Sequence, residues 1–288
     1  MMLLPVNTLN VQAKTVTDQL ERTVIVPDHP KRIVSLAPSI TEIVFAIGRG
    51  SLLKGVTQFS NYPKAARQIA SVGSYIHLDV EKIVVLNPDL CIAVKDGNPK
   101  SAVDKLDGLG IPVYAVDPNN LESVMTALIE IGNLLNAEIE AKKIVADMQA
   151  RINRVKENIS KATHIPKVFL QIGISPIVSV GTQTFLHELI VLAGGKNLSE
   201  GPIPYPRYSK EQVLSLSPEI IIITSMEREK TFDQAKKEWS TWSDLPAVKN
   251  DRILIADSDI LDRATPRLVD GLELIARLIH PELFTPYE

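Results

Sequence analysis

The sequence of 288 residues contains a single cysteine, Cys91. A disulfide scaffold needs paired cysteines and a structural zinc site needs several cysteine or histidine ligands, so both are excluded. Cys91 falls inside an apolar predicted strand, where we expect an inert, buried thiol. The five histidines are scattered along the chain. His77, in a loop before a predicted helix, is the one that we keep as a candidate metal ligand, although a solvated loop histidine is the more ordinary interpretation.

A surplus of positive charge and a long apolar run are also missing. The chain has 31 Lys and Arg against 34 Asp and Glu, a net charge of -3. A nucleic-acid-binding protein needs excess cations to displace the counterions of phosphates, so that class is excluded. No apolar run approaches the roughly 20 residues that span a bilayer, which excludes a membrane-spanning helix.

Because no glycine-rich phosphate loop or catalytic group of residues is recognisable, we predict no catalytic residue and no metal site.

What the sequence does contain is a regular alternation of short apolar strands and helical segments. This alternation is typical of βα units around a mainly parallel sheet. We expect Ser39 to be the N-cap of the first helix and Pro266 to lie in the first turn of the last. The predicted strands include residues 32–36, 90–94, 113–116, 167–172, 220–224 and 252–256, and the predicted helices include 80–86, 102–109, 184–192 and 266–278.

Two consecutive helical segments, residues 121–135 and 137–162, interrupt this alternation at the middle of the chain. The second would be roughly 40 Å long at 1.5 Å per residue, which suits a strut between two lobes better than the interior of one small domain. We therefore predict that the chain has four parts. In chain order they are a leader or disordered segment over 1–14, an α/β lobe over 15–136, a connecting helix over 137–162 and a second α/β lobe over 163–288.

The two predicted lobes share a sequence pattern. Residues 81–92 align with 211–222, and a glutamate, a leucine, a proline and an isoleucine are identical at matching positions. The pattern predicts a helix, a proline stop and a buried strand in each lobe. The helix dipole favours Glu81 and Glu211 in a first helical turn, but it does not explain why both lobes have one at the same position.

Several aromatic residues occur in loops between predicted strands and helices: Phe59, Tyr62, Tyr75, Tyr205 and Tyr208. Open α/β sheets bind ligands at loops that follow the carboxyl ends of their strands. The prolines beside Tyr205 stiffen its loop, so its ring can be held at low entropic cost. Loop aromatics can equally cover the edge of a core, and the residues themselves leave both interpretations open.

Charged residues cluster in the loop before the last predicted helix. Asp259, Asp262, Arg263 and Arg267 all lie there. The helix dipole disfavours a cation near a helix start. This favours a functional role for Arg263, which could pair with a carboxylate, amide or phosphate of a ligand. The alternative is a solvated loop.

Four segments together resemble the substrate-binding proteins of cobalamin and iron–siderophore ABC importers. The similarity extends in collinear order from about residue 15 to 284. The segments are residues 31–42 (KRIVSLAPSITE), 87–90 (NPDL), 209–213 (SKEQV) and 217–219 (SPE), and further similar stretches are 169–174 and 262–267.

This resemblance implies an α/β fold of the class III periplasmic binding protein type, with two Rossmann-like lobes joined by one long, rigid backbone helix. It implies a monomeric, periplasmic or otherwise extracytoplasmic protein that is not an enzyme and has no cofactor. Residues 1–13 begin apolar and end in small residues but lack a basic region, so we expect either a weak or truncated export signal or a disordered leader. Such a protein would capture a corrinoid, cobalamin, between its lobes and deliver it to an ABC permease dimer with its ATPase subunits. An iron–siderophore or haem carrier is the alternative within the class. The alternative from a different class is a chelatase or nitrogenase-like enzyme with the same two-lobed architecture. It is the less favoured alternative, because such an enzyme would need cluster-ligating cysteines or a histidine base in the cleft.

The resemblance also implies roles for individual residues. In cobalamin-binding members a ring of aromatic side chains holds the corrinoid, and three of those positions correspond to Phe59, Tyr75 and Tyr205. One acidic residue of each lobe docks the permease, and these positions correspond to Glu81 and Glu211. A ligand-contacting loop of the second lobe corresponds to Asp259, Ile260, Leu261, Asp262 and Arg263. Other aromatic positions of the family are occupied by Val94, Ile172 and Ile260, so we expect a thinner aromatic cage.

Overall fold

The computed structural model describes residues 12–224 and 230–284. Within them the chain falls into two compact units. Unit 1 comprises the residues up to Asp117 together with Thr126–Lys142. Unit 2 comprises Pro118–Met125 together with the residues from Lys143 onward. Each unit has its own parallel sheet and its own helices.

Unit 1 contains a five-stranded parallel sheet and a separate antiparallel hairpin. The strands are β1 (Ala13–Thr17), β2 (Thr23–Pro27), β3 (Ile33–Ser35), β4 (Leu53–Val56), β5 (Ala70–Ser71), β6 (Leu90–Val94) and β7 (Val113–Val116). The helices that lie wholly in this unit are α1 (Pro38–Ala46), α2 (Val80–Val85) and α3 (Lys100–Gly108). The sheet has the order β5–β4–β3–β6–β7, and β1 pairs with β2.

The central strands of this sheet are apolar along almost their whole length. Every residue of β3, β6 and β7 is buried. This is expected for a parallel sheet that is covered on both faces. Cys91 lies within β6 and is fully buried, as predicted, and burial raises its pKa to about 12.

Two helices carry the chain from one unit to the other. They are α4 (Leu121–Leu134) and α5 (Glu138–Ile159). Helix α5 has 22 residues, which is about 33 Å at the usual rise per residue. It corresponds to the predicted connecting helix of residues 137–162, and the boundary between the units falls inside it, after Lys142. None of the helices in residues 12–224 and 230–284 is long and apolar enough to cross a membrane.

Unit 2 contains a four-stranded parallel sheet in the order β10–β8–β12–β13 and an antiparallel pair, β11–β9. The strands are β8 (Lys167–Gln171), β9 (Ile177–Val178), β10 (Lys196–Asn197), β11 (Arg207–Tyr208), β12 (Ile220–Ile223) and β13 (Ile253–Ile255). The helices are α6 (Phe185–Leu192), α7 (Lys210–Leu216), α8 (Lys230–Ser240), α9 (Pro246–Lys249), α10 (Ser258–Leu261) and α11 (Leu268–Ile279). Strand β12 consists of four buried isoleucines, and Phe169 and Trp239 belong to the same core.

The structure corrects two predicted helix starts. The N-cap of α1 is Ala37, not Ser39, because Pro38 occupies the first helical position and has no N–H to be capped. Helix α11 begins at Leu268 with Arg267 as its N-cap, so Pro266 precedes the helix. Strand β1 begins at Ala13, inside the predicted leader of residues 1–14. The earlier part of that predicted leader, residues 1–11, lies outside the described residues.

Helices α4 and α5 approach closely at a glycine of unit 1. A Cβ atom added at Gly132 would lie 2.5 Å from Cβ of the fully buried Ala141. We therefore expect Gly132→Ala to lower the free energy of unfolding in urea by up to about 2 kcal/mol. Overpacking costs about 1–3 kcal/mol, whereas alanine gains only about 1 kcal/mol in helix propensity.

Gly108→Ala, near the end of α3, is the matched control because, apart from its chain neighbours and the backbone of its own helix, no atom of the described residues lies within 4 Å of a Cβ at Gly108. It should leave stability unchanged or raise it by up to about 1 kcal/mol. Equal stabilisation by both substitutions would contradict the close approach of α4 and α5.

Candidate functional site

In unit 1, Phe59 lies on a tight loop that follows β4, and the residue is 46% exposed. Buried hydroxyl groups hold this loop against α1. The Ser60 Oγ lies 2.9 Å from Thr41 Oγ1 and 3.1 Å from Thr57 Oγ1, and Thr41 Oγ1 donates to Ser35 Oγ at 2.9 Å. Because these buried polar groups satisfy one another, the backbone beneath Phe59 is held in place while its ring faces solvent.

Tyr75 lies on a neighbouring loop of unit 1, and a buried asparagine holds its backbone. Asn98 donates from Nδ2 to the carbonyl oxygens of Tyr75 and Leu36, both at 2.8 Å, and accepts from the N–H of Val94 at 2.8 Å. The Tyr75 ring packs over Gly97, where φ is +122° and a Cβ would lie 2.6 Å from the ring. Asn98 therefore joins the carboxyl ends of β3 and β6 to the Tyr75 loop.

The two aromatic loops of unit 1 are also tied to each other. Gln58, the residue before Phe59, donates its N–H to the carbonyl of Gly73 at 2.8 Å. Both loops follow the sheet at the carboxyl ends of parallel strands, where α/β proteins bind ligands. The structure thus holds Phe59 and Tyr75 on adjoining loops of one unit.

In unit 2, Tyr205 is half exposed on a loop that runs alongside the segment after β9. Gly181 donates its N–H to the carbonyl of Pro204 at 2.8 Å. A Cβ at Gly181 would overlap the carbonyl oxygen of Ile203, so the close approach of the two segments requires glycine. This pairing and the flanking Pro204 and Pro206 hold the loop that carries the Tyr205 ring.

The loop around α10 is organised by charged side chains of its own. Asp257 caps α10 by accepting from the N–H of Asp259 at 2.8 Å. The Asp259 carboxylate pairs with the buried Arg263 at 2.8 Å, and its carbonyl accepts from Arg267 at 3.0 Å. Leu261 is fully buried, so it contributes its side chain to the core rather than to the surface.

Asp262 is the buried carboxylic acid of this loop. Its Oδ1 is buried and has no hydrogen-bond partner among the described residues. Burial raises the pKa of Asp262 to about 7; the neighbouring Thr224 hydroxyl and the positive charge of Arg263 lower it, and the negative charges of Asp259 and Asp257 raise it further. Ile260 on the same loop is partly exposed.

Glu81 and Glu211 are both exposed in the first turn of a helix, as predicted. In α2, Asp79 is the N-cap, and it accepts from the N–H of Lys82 at 3.1 Å. In α7, the N-cap Ser209 forms a reciprocal capping box with Gln212. Hydrogen bonding to Ser209 holds the pKa of Glu211 below its usual range. The two glutamates therefore occupy equivalent positions on separately capped helices.

Sequence patterns did not reveal the residues that hold these loops, chiefly Asn98, Ser60 and Gly181. The turn residues Gly97 and Asn98 would have predicted a turn after β6, but not which carbonyls Asn98 contacts. His77 is exposed on the Tyr75 loop. In the parts of the chain that the structure describes, no three His, Cys, Asp or Glu residues converge on a position that could hold a metal ion.

Two units built on parallel sheets, with aromatic and charged side chains on the loops that follow the strands, define an α/β binding protein. Solved structures share this fold. The periplasmic vitamin B12 binding protein BtuF of Vibrio cholerae superposes with a TM-score of 0.77 at 30% identity, covering 89% of this chain and 99% of that one. A periplasmic heme binding protein from Pseudomonas aeruginosa gives a TM-score of 0.81 at 28% identity, covering 90% and 95%. The predicted α/β fold class is confirmed.

Residues 33–260 match the periplasmic binding protein family. The vitamin B12-binding protein of Vibrio campbellii is 31% identical over 243 residues, which are 84% of this chain and 86% of that protein. This chain belongs to the periplasmic binding protein family of ABC importers, and the family resemblance read from the sequence is confirmed.

The raised pKa of Asp262 predicts a specific pH dependence of stability. Between about pH 4 and pH 7 the folded protein keeps the Asp262 proton that the unfolded chain has released. The unfolding free energy should therefore fall as pH rises through this window. Urea unfolding at pH 5 and pH 8 should show a smaller loss of stability in Asp262→Asn than in the wild type.

Asp244→Asn serves as the control because the Asp244 side chain is fully exposed. It should retain the wild-type difference between pH 5 and pH 8. If Asp262→Asn loses as much stability between pH 5 and pH 8 as the wild type does, then Asp262 ionises normally in the folded protein.

Proposed function

We propose that this protein is an extracytoplasmic solute-binding protein that captures a corrinoid, cobalamin in the first instance, and delivers it to the permease of an ABC importer. The observation that carries the proposal is the set of exposed aromatic rings on loops whose backbones are held by buried hydrogen bonds. The relatives named as vitamin B12-binding proteins, at 30% and 31% identity, support the corrinoid.

The aromatic residues suit a large, flat ligand. Phe59 and Tyr205 are each about half exposed, and Tyr75 is partly buried over Gly97. An aromatic ring can bury much apolar surface against a macrocycle and stack on it. Because the loops are already held in place, little conformational entropy is lost when the ligand binds.

The loop around α10 supplies the polar contacts in this proposal. The Asp259 side chain is 48% exposed although it pairs with Arg263. The pair offers a carboxylate acceptor and guanidinium donors, which suit the amide groups at the edge of a corrin ring. The partly exposed Ile260 would add an apolar contact, whereas the buried Leu261 and the buried carboxyl of Asp262 would take part only through their backbones.

A haem or ferric siderophore is the second candidate ligand. The similarity to the Pseudomonas aeruginosa heme binding protein favours it, at 28% identity over 90% of this chain. Val94, Ile172 and Ile260 occupy positions that are aromatic in cobalamin-binding members of the family. Fewer rings are therefore present to favour a corrinoid over another large ligand. The same loops would bind either ligand, so the two candidates differ only in the identity of the macrocycle or chelate.

Delivery requires a docking surface, and we assign it to Glu81 and Glu211. Both carboxylates are exposed at matching positions of the two units. Charged groups at an interface orient the partners and raise the association rate. In this proposal the protein acts as a monomer, and each glutamate meets a basic residue of the permease, whose ATPase subunits power import.

Calorimetry with cobalamin, cobinamide, haem and ferric siderophores tests the ligand. We expect one of these ligands to bind the wild type tightly. Tyr205→Ala should lose about 1–3 kcal/mol of that binding free energy, because a ring that stacks on the ligand is removed. Trp242→Ala removes a partly exposed ring outside the set and should bind like the wild type. Unchanged affinity in Tyr205→Ala would exclude Tyr205 from the site, and binding of none of the four ligands would overturn the proposed function.

Charge reversal tests the docking surface. The double variant Glu81→Lys and Glu211→Lys should keep the ligand affinity of the wild type, because neither carboxylate belongs to the aromatic loops. Its binding to the cognate permease–ATPase complex should drop sharply, and the wild-type complex should weaken as salt is raised. Normal stimulation of the transporter ATPase by the double variant would show that both residues only stabilise their helix starts.

A further inference from the structure

A mostly apolar groove of about 400 Å³ lies beside Glu81 in unit 1. It is bordered by the edge strand β5 and by α2, and Ser71, Val85 and Leu86 are among its lining residues. Val85, at the end of α2, is 83% exposed. Single exposed apolar side chains are common on protein surfaces. Here the exposed Val85 lies beside Ala70 and the half-buried Leu86, so apolar surface is grouped in one groove.

The charges at the rim indicate what that occupant carries. Asp79 is neutralised by an ion pair with Lys82 at 3.0 Å. The Glu81 carboxylate makes no hydrogen bond or ion pair with any described residue, and it lines the groove. The rim therefore has one uncompensated negative charge next to an apolar surface. Its complement is a segment with an apolar side chain and a cation close together.

The matching helix of unit 2 has a polar residue at the position of Val85. The alignment of residues 81–92 with 211–222 places Ser215 opposite Val85. Ser215 is exposed, and its hydroxyl donates to the carbonyl of Gln212 at 2.7 Å. Glu211 thus has a polar neighbour one turn along its helix, whereas Glu81 has an apolar one.

We propose that the groove accepts an apolar side chain of the permease, next to a lysine or arginine that pairs with Glu81. The inference rests on the proposed function, since it adds an apolar contact to the docking surface assigned there. Unit 1 then contributes both a charged and an apolar contact to docking, and unit 2 contributes a charged contact alone. The two docking surfaces consequently differ in their response to salt, because screening weakens ion pairs but not apolar contacts.

The test exchanges the two matched residues. Val85→Ser should weaken binding to the cognate permease–ATPase complex in nanodiscs about tenfold, and equally at low and high salt, because apolar burial is lost. Glu81→Lys should weaken binding most at low salt. Ser215→Val is the matched control and should bind the complex no more weakly than the wild type. Both side chains are exposed, so urea unfolding should be unchanged in the Val85 and Ser215 variants.

The outcomes separate this inference from the proposed function. Wild-type binding by Val85→Ser, together with weakened binding by Glu81→Lys, would overturn the groove and leave the docking glutamates in place. A loss of ligand affinity in Val85→Ser, measured by calorimetry, would also overturn it, because the residue would then act on ligand binding rather than on docking. A wild-type protein that binds no permease would overturn the docking function itself.

Discussion

Burial of the parallel strands on both faces is the constraint on which the rest of this structure depends. Strands β6 and β12 have no exposed residue, because helices and loops cover both sides of each sheet. A strand that is buried in this way has no side chain left for a ligand. Groups that contact a ligand can therefore lie only on the loops that follow the strands, where the proposed site residues Phe59, Tyr75 and Tyr205 are found.

Loops can position a ligand only if their own backbones are held. In unit 1 the buried side chains of Asn98 and Ser60 do this, since each satisfies several polar groups that would otherwise be buried without partners. Leaving such a group unsatisfied costs about 1–3 kcal/mol, so the loops have little freedom to rearrange. Asp262 in unit 2 is the contrasting case: its buried Oδ1 has no hydrogen-bond donor among the described residues, and its pKa rises instead.

Much of the fold could be predicted because the local sequence determines it. Strands β6 and β7 have the predicted bounds, since an apolar run of four or five residues between turn residues is too short for a typical helix. The starts of α1 and α11 were each predicted wrongly by two residues, because proline and its neighbours offer several nearly equivalent caps. Strands β5 and β10 have only two residues each, too few to leave a periodic pattern.

The sequence by itself determined the fold class, the position of the aromatic loops and the matched glutamates, because these follow from the order of apolar runs and turn residues along the chain. Tertiary structure alone decided which groups meet. The Asn98 amide contacts carbonyls 23 and 62 residues away. Position 181 must be glycine because the backbone of Ile203 lies against it, which no local pattern indicates. Val85 borders a groove because α2 lies beside β5. Such contacts depend on distances in space between residues far apart in the chain, and the hydrophobic pattern that specifies strands and helices carries no record of them.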